Sequence, residues 1–317
     1  MTRLIVLGAS GFIGRAIVAE AAARHGPAAV IAAVRRPRGP SFFPAGVEQR
    51  SFDAERADSI ARFSGDAGHI VNCVMGSAQA MVESCRGAIA ALGDQPGRRL
   101  VHFSSIAVFG DAHGEVGEDA RPGPAVDGYA AAKIEAERML AKAHDVNWTI
   151  LRPGLVHGRG STLWTDRIAR LVAARRLGPM GARGIGTCNL VPIGDVAAAA
   201  LAACDAEATR GRACHLVAAD PPTWNGYLAD MAAALGIPAR PLSPARLAAE
   251  RVLAFPLTAL GRAGLPAPDA LSPGLARLFG QQVRFASSAV PLLLPRWRDY
   301  ASVLADGARW ASETRRG

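Results

Sequence analysis

Aromatic side chains are scarce in this chain, and nowhere do they interleave with a basic run. Phenylalanine, tryptophan and tyrosine make up 6% of the 317 residues, and only three are tyrosines. Charge alone is more often a solvated surface than a binding groove, so the formal charge of +9 does not by itself point to DNA or RNA as a partner. Long apolar runs are also missing. The stretches around VLAFPLTALG and PLLLP are interrupted by proline and fall short of the roughly 18 residues that a membrane-spanning helix needs. The opening MTRLIVLGASGFIG reaches glycine before a signal-peptide core could form. The five cysteines (Cys73, Cys85, Cys188, Cys204, Cys214) are odd in number and form no C-x-x-C pair. They therefore support neither a disulfide framework nor a zinc site, and His144 and His157 add no metal-ligand spacing. A metal-free protein of a reducing cytoplasm is expected.

Core material is plentiful: half the residues are hydrophobic and a fifth are charged, which is ordinary globular usage. The length suits one large domain or two connected ones. RLIVL, AAVIAAV, HIVNCVM, RLVHFSS and NWTILRP read as strands, nearly continuously apolar, with alanine-rich helices between several of them. Such strands belong to a parallel sheet covered by helices on both faces. After Arg152 the pattern loosens. TDRIARLVAARR reads as a helix, LVPIGDVAAAALAAC as a short strand entering a helix, and CHLVAADPPTWNGYLADMAAALG as strand, turn and helix, with Thr223 as its N-cap and Gly236 as its stop. Beyond residue 237 proline and glycine punctuate short helical pieces.

In LGASGFIG, glycines stand at 8, 11 and 14, directly after the first strand and opening a helix. One glycine permits the tight turn, another lets the backbone approach a pyrophosphate, and the last lets the helix pack on the sheet. The first amides of the helix then face the phosphate charge. Gly8, Ser10, Gly11, Phe12, Ile13 and Gly14 are the expected dinucleotide contacts. The second strand runs into AVRRPR, which places Arg35 and Arg36 where a ribose-binding carboxylate would stand. Guanidinium forks suit a 2′-phosphate, so NADP is favoured and NAD stays open. Asp53, in SFDAE after a third strand, is either an acceptor for the adenine amino group or a cap for the next helix.

One of the three tyrosines lies in DGYAAAKIEAE. Tyr129 and Lys133 are four apart and share a helix face if the helix begins at Asp127 or Gly128. An ammonium there lowers the phenol pKa toward neutrality and makes it a usable proton donor and acceptor. About 25 residues earlier, VHFSSIAVFG is a strand ending in two serines, on the edge where a parallel sheet meets its ligand.

With GASGFIG, HFSSIAVFG, GYAAAK, LRPGLVHG, LVPIGDVAAA and HLVAADPP in this order over residues 1–236, the chain resembles the extended short-chain dehydrogenases/reductases of the NAD(P)-dependent epimerase/dehydratase family. The resemblance implies a Rossmann-type, doubly wound parallel sheet over residues 1–155 and a smaller substrate-binding region over 156–317, with segments near 187–236 returning to the Rossmann core. It implies Ser105 as catalytic serine, Tyr129 as acid/base, and Lys133 as the residue that lowers the tyrosine pKa and binds the nicotinamide ribose; Ser104 is a structural neighbour. A homodimer is also what the resemblance suggests. The departures narrow the reaction. Ile106 and Ala107 follow Ser105 where dehydratases carry an Asp-Glu pair, so dehydration is not expected. Leu155 stands where nucleotide-sugar enzymes place an asparagine, which speaks against a sugar nucleotide.

The expected protein is an NAD(P)-dependent oxidoreductase that moves a hydride between nicotinamide and a small carbonyl or alcohol substrate. The alternatives left open are a sugar epimerase with retained NAD and a non-catalytic dinucleotide-sensing or assembly subunit. His102, on an apolar strand, reads as a satisfied or partly buried histidine, Asp195 as a helix cap, and the five tryptophans as packing. From Arg240 onward eleven arginines face five acids, which suggests an anionic or membrane-proximal substrate and peripheral membrane contact.

Overall fold

The computed structural model describes residues 3–39, 41–63, 65, 67–93, 97–262, 269, 271 and 273–314. Within the basic C-terminal region, positions 263–268, 270, 272 and 315–317 lie outside the described residues.

The short aliphatic runs are strands because both of their faces are buried, which rewards β-branched side chains and leaves no polar alternation. The strands are β1 (Arg3–Leu7), β2 (Val30–Val34), β3 (Glu48–Ser51), β4 (Ala67–Asn72), β5 (Arg99–Phe103), β6 (Gly114–Val116), β7 (Trp148–Pro153), β8 (Leu155–His157), β9 (Leu190–Pro192), β10 (Arg212–Leu216) and β11 (Val283–Phe285). Seven of them form one parallel sheet in the order β10-β7-β5-β4-β1-β2-β3. The order reverses at β1, whose two neighbours are β2 and β4, so a crevice opens at the carboxyl ends of β1 and β4. Two small parallel pairs, β8 with β9 and β6 with β11, lie outside the main sheet.

The helices are α1 (Phe12–His25), α2 (Ala57–Ala61), α3 (Ala78–Leu92), α4 (Gly128–Lys142), α5 (Arg167–Ala173), α6 (Ile193–Asp205), α7 (Trp224–Ala234), α8 (Pro244–Arg262), α9 (Pro273–Leu278), α10 (Val290–Leu293) and α11 (Tyr300–Glu313). Helices α1 and α6 bury Ile17, Val18, Val196 and Ala200 against Val6, Val101 and Phe103 on one sheet face. Helices α2, α3 and α4 bury Ile60, Cys85, Ala88 and Leu140 against Ile5, Ile70 and Leu100 on the other. This is the doubly wound, Rossmann-type arrangement expected from the sequence. A third core is aromatic, with Trp224, Tyr227 and Phe279 packed among Ile168, Leu171 and Leu304. The expected caps are present: Thr223 accepts from the Gly226 amide at 3.1 Å, and Gly236 has a left-handed φ of 69°.

Several boundaries differ from the sequence reading. The strand placed at HLVAA is RACHL, pairing with β7, and the expected helix TDRIARLVAARR opens with a wide π-type turn over Thr162–Asp166 before α5. The β6–β11 pair, built from residues more than 160 apart in sequence, carries no local signal and was not foreseen.

Candidate active site

The glycine turn is fixed by close contacts. Gly8 has φ 78°, and a Cβ on it would meet Cys73 O and the Val74 backbone at 3.0 Å. A Cβ on Gly14 would stand 2.4 Å from Gly8 O and 2.7 Å from Ala9 Cα, so only glycine lets α1 start this near the strand. The Gly11 amide donates to Gly8 O at 2.9 Å, and Gly11, at the N-cap of α1, offers no side chain to the first helical amides. Those amides and the backbone cradle at the β1–β4 crevice fit a pyrophosphate. Ser10, Phe12 and Ile13 complete the turn and remain partly exposed.

At the far end of the crevice, Arg35 and Arg36 follow β2, are exposed, and form no ion pair among the described residues. Two further arginines, missed in the sequence, meet at one ring: the Arg15 and Arg38 guanidinium groups each lie 5.5 Å from the centre of the Phe42 ring. The usable signal was the position of Arg15, directly after the third glycine. Asp53 uses one carboxylate oxygen to accept the Glu55 amide at 3.0 Å in a local turn, and it does not cap α2, whose N-cap is Arg56 without a side-chain cap.

Ser105 and Tyr129 come from different elements. Ser105 follows β5 and caps a short turn, accepting from the Ala107 amide at 3.1 Å. Tyr129 is the second residue of α4, whose N-cap Asp127 accepts from the Ala130 amide at 2.8 Å. Burial raises the Tyr129 phenol above its ordinary value; a hydrogen bond with Ser105 opposes this, and the Asp127 charge adds to it. Lys133 lies one turn on, buried, with Nζ donating to Phe103 O at 2.7 Å and standing 5.8 Å from the centre of the Tyr129 ring. Burial lowers the Lys133 pKa to about 8, partly offset by Cys73, Cys85 and Glu137. The lowering of the tyrosine pKa expected from Lys133 is thus not seen in this geometry. One of the three ammonium donors is given to a strand-end carbonyl, and desolvation dominates at the phenol.

The residue that orients α4 was also missed. Glu137, one turn beyond Lys133, forms a buried two-pronged pair with Arg152 of β7, at 2.9 and 2.7 Å. Arg152 also donates to Glu118 O at 3.0 Å and stacks 5.0 Å from the centre of the Phe109 ring. An arginine inside the apolar run NWTILRP was the available signal.

Two readings need correction. His102 is buried, but neither ring nitrogen has a partner among the described residues, so it is not the satisfied core histidine expected; burial and the Lys133 charge push its pKa well down and keep it neutral. Asp195 sits in the first turn of α6 but does not cap it. Its carboxylate accepts from the Arg298 backbone amide at 3.0 Å and pairs with Arg298 Nε at 3.3 Å, tying the C-terminal segment to the sheet.

Among the described residues no His/Cys/Asp/Glu group is arranged to hold a metal ion, and no helix is long and apolar enough to cross a membrane.

Residues 8–167, half of the chain, match the model of a family described as NAD(P)H-binding. No curated protein matches in sequence. Among solved structures, the terminal R domain from the myxalamid PKS-NRPS biosynthetic pathway is 18% identical at TM-score 0.78, covering 99% of this chain and 91% of that one. UDP-glucuronic acid 4-epimerase from Bacillus cereus, with UDP-glucuronic acid and NAD, is 15% identical at TM-score 0.72, covering 99% and 100%. UDP-glucose 4-epimerase from Thermus thermophilus, with NAD, is 18% identical at TM-score 0.70, covering 98% and 99%. Crevice, glycine turn and family match agree: the chain belongs to the NAD(P)H-binding family and has the fold of the extended short-chain dehydrogenases/reductases.

Proposed function

We propose that the protein is an NADP-preferring oxidoreductase acting on a carbonyl/alcohol pair, with Tyr129 passing the proton and Ser105 holding the substrate oxygen. What carries this reading is the placement of Ser105, directly after β5, and of Tyr129, in the first turn of α4, at the carboxyl edge of the sheet, with the Lys133 ammonium 5.8 Å from the centre of the tyrosine ring. When bound, the cofactor supplies or accepts the hydride. The chain's own part is to bind, orient and move one proton. The turn at Gly8, Gly11 and Gly14 holds the pyrophosphate, Arg35 and Arg36 the adenosine end, and the Lys133 ammonium the nicotinamide ribose. Asp53 stays with its turn.

A phenol that keeps its proton at neutral pH is ready to donate it as negative charge develops on a carbonyl oxygen, while the Ser105 hydroxyl holds that oxygen in place.

The body of the substrate is apolar in this reading. Met75 follows β4 at the carboxyl edge of the sheet and is 69% exposed, Val126 immediately precedes the Asp127 cap, and Leu163 lies in the turn after β8; all three are large exposed hydrophobics. Together with Leu155 this ranks sugar-nucleotide epimerisation second.

Turnover of NADPH with a panel of medium-chain and aromatic aldehydes and ketones tests the reading. Tyr129→Phe is expected to lower kcat by about 10²- to 10⁴-fold while leaving NADPH affinity within a factor of about two. Wild-type protein that binds NADPH yet consumes none with any carbonyl would favour the dinucleotide-sensing alternative.

A further inference from the structure

A cavity of about 190 Å³ opens between the end of β8, the loop after β10 and the segment that leads into α11. None of the residues assigned above to the cofactor or to proton transfer lines it. Its walls are apolar and aromatic: Leu190, Pro192, Ala218 and Pro222, with Trp297 and Tyr300 supplied by the C-terminal segment. An apolar cavity of about 150 Å³ takes one benzene ring. This one has room for a single ring with a small substituent.

Two polar groups in the lining give the cavity its chemistry. His157, the last residue of β8, is 1% exposed, and its Nδ1 is buried without a hydrogen-bond partner among the described residues. Burial lowers its pKa to about 4, so the ring is neutral and keeps one donor and one acceptor. The centre of the Tyr300 ring stands 5.9 Å from that of His157, but the Tyr300 hydroxyl donates to Asp230 at 3.1 Å. Arg298 is the second group. Its Nε pairs with Asp195 at 3.3 Å, and a Cβ on Gly194 would lie 2.3 Å from that nitrogen, so the guanidinium rests directly on the first turn of α6. The Arg298 backbone amide fills the other Asp195 oxygen at 3.0 Å, and neither Nη of Arg298 has a hydrogen-bond partner among the described residues. Pro192, at the N-cap of α6, offers no side chain to the first amides of that helix. The acids nearby are already paired: Asp195 with Arg298, and the exposed Asp220 with Arg284 at 3.4 Å.

We propose that this cavity is a second ligand site, which takes a small monocyclic aromatic carboxylate: the ring lies against Trp297 and Tyr300, the carboxylate meets the Nη edge of Arg298, and His157 bonds an oxygen of the ligand. The parts select this class together. Aromatic walls hold a planar ring by its face or edge. A guanidinium fixed along one edge by a buried carboxylate is pre-organised, and its other edge matches a carboxylate in two-pronged geometry. The uncapped amides at the start of α6 add to the attraction for an anion. A buried imidazole nitrogen without a partner costs free energy that a ligand hydroxyl or oxygen removes. A plain hydrocarbon would leave Arg298 and His157 unmatched, and an anion of two or three heavy atoms would leave most of the cavity empty. An occupant also bridges the C-terminal segment to β8 and to the β10 loop, so binding stabilises the fold.

Calorimetric titration with benzoate tests the proposal, against benzyl alcohol as a neutral ring and acetate as an anion without one. Benzoate is expected to bind at least about tenfold more tightly than either and to raise the thermal midpoint. Ala218→Phe fills the cavity and is expected to abolish benzoate binding. Arg298→Lys keeps a cation beside Asp195 but loses the fork, and is expected to weaken binding at least about tenfold. Ala218 is only partly buried, and an undiminished thermal midpoint without ligand confirms that each variant is folded. Tyr129→Phe, in the proposed active site, is expected to bind benzoate as the wild type does. The readout is binding, so it stands apart from whether the crevice at β1 turns over NADPH. Absence of benzoate binding at millimolar concentration, equal affinity for benzyl alcohol, or binding that neither Ala218→Phe nor Arg298→Lys weakens overturns the proposal. So does binding that Tyr129→Phe abolishes, which would place benzoate in the active site.

Discussion

Lys133 holds a buried ammonium whose pKa is lowered to about 8, and this sets two opposite pH dependences. The positive charge proposed to meet the nicotinamide ribose is present below about pH 8 and lost above it, so NADPH affinity is expected to fall as pH rises through that value. Lys133→Met should bind more weakly at neutral pH and show a flat profile, read by fluorescence titration across the range. Stability runs the other way. Between about 8 and the ordinary lysine range the unfolded chain binds the extra proton, so stability to denaturant should rise with pH in that window and cease to do so in Lys133→Met. At the adenosine end, Arg35→Ala with Arg36→Ala should weaken NADPH by at least about tenfold and NADH little, since only the 2′-phosphate distinguishes them. Arg15→Ala should act in the same direction. Of these residues, Arg35, Arg36, Tyr129 and Lys133 were legible because a motif or a spacing frames them. Arg15 and Arg38 were not, because their relation to Phe42 depends on how a loop folds back over α1.

Helix α4 carries both Tyr129 and Lys133, and its placement rests on a cap and a buried pair. Asp127 holds the first turn, and Glu137–Arg152 fixes the rotation of the helix against β7. Removing one partner strands a charge among apolar neighbours, so Arg152→Leu is expected to cost about 3–5 kcal/mol in denaturant unfolding, whereas replacing both partners with apolar residues should recover much of that loss. At the start of α1, Gly14→Ala places a methyl 2.4 Å from Gly8 O. It should abolish dinucleotide binding before it abolishes folding. Regular elements were read well where burial on two faces leaves a continuous apolar run, as in β1, β2, β5 and β7. They were read poorly where pairing is distant. The β6–β11 ladder is held by Gln281, which donates to Gly110 O and Ala112 O at 3.1 and 3.0 Å, and by Glu118, which accepts from Ser287 and Ser288; neither residue advertises such a partner in sequence.

For the whole molecule, the order of motifs carried the fold, because a glycine turn after the first strand and a serine–tyrosine pair at the edge make sense only on one parallel sheet. The C-terminal charge was legible only as a sum. Among its arginines whose side chains are described, some are spent on ion pairs, such as Arg277 with Asp111 and Arg298 with Asp195, and others, such as Arg240, Arg246, Arg296 and Arg309, are exposed at the surface. The two readings of the site differ in where a hydride ends. Incubation with 4-deuterated NADPH and an apolar ketone or aldehyde, followed by mass analysis of the product, decides between them. An oxidoreductase of the kind proposed yields an alcohol carrying one deuterium and equimolar oxidised cofactor, and Tyr129→Phe loses the label transfer. Tightly held cofactor that is never consumed, with no label in any released product, would contradict that assignment.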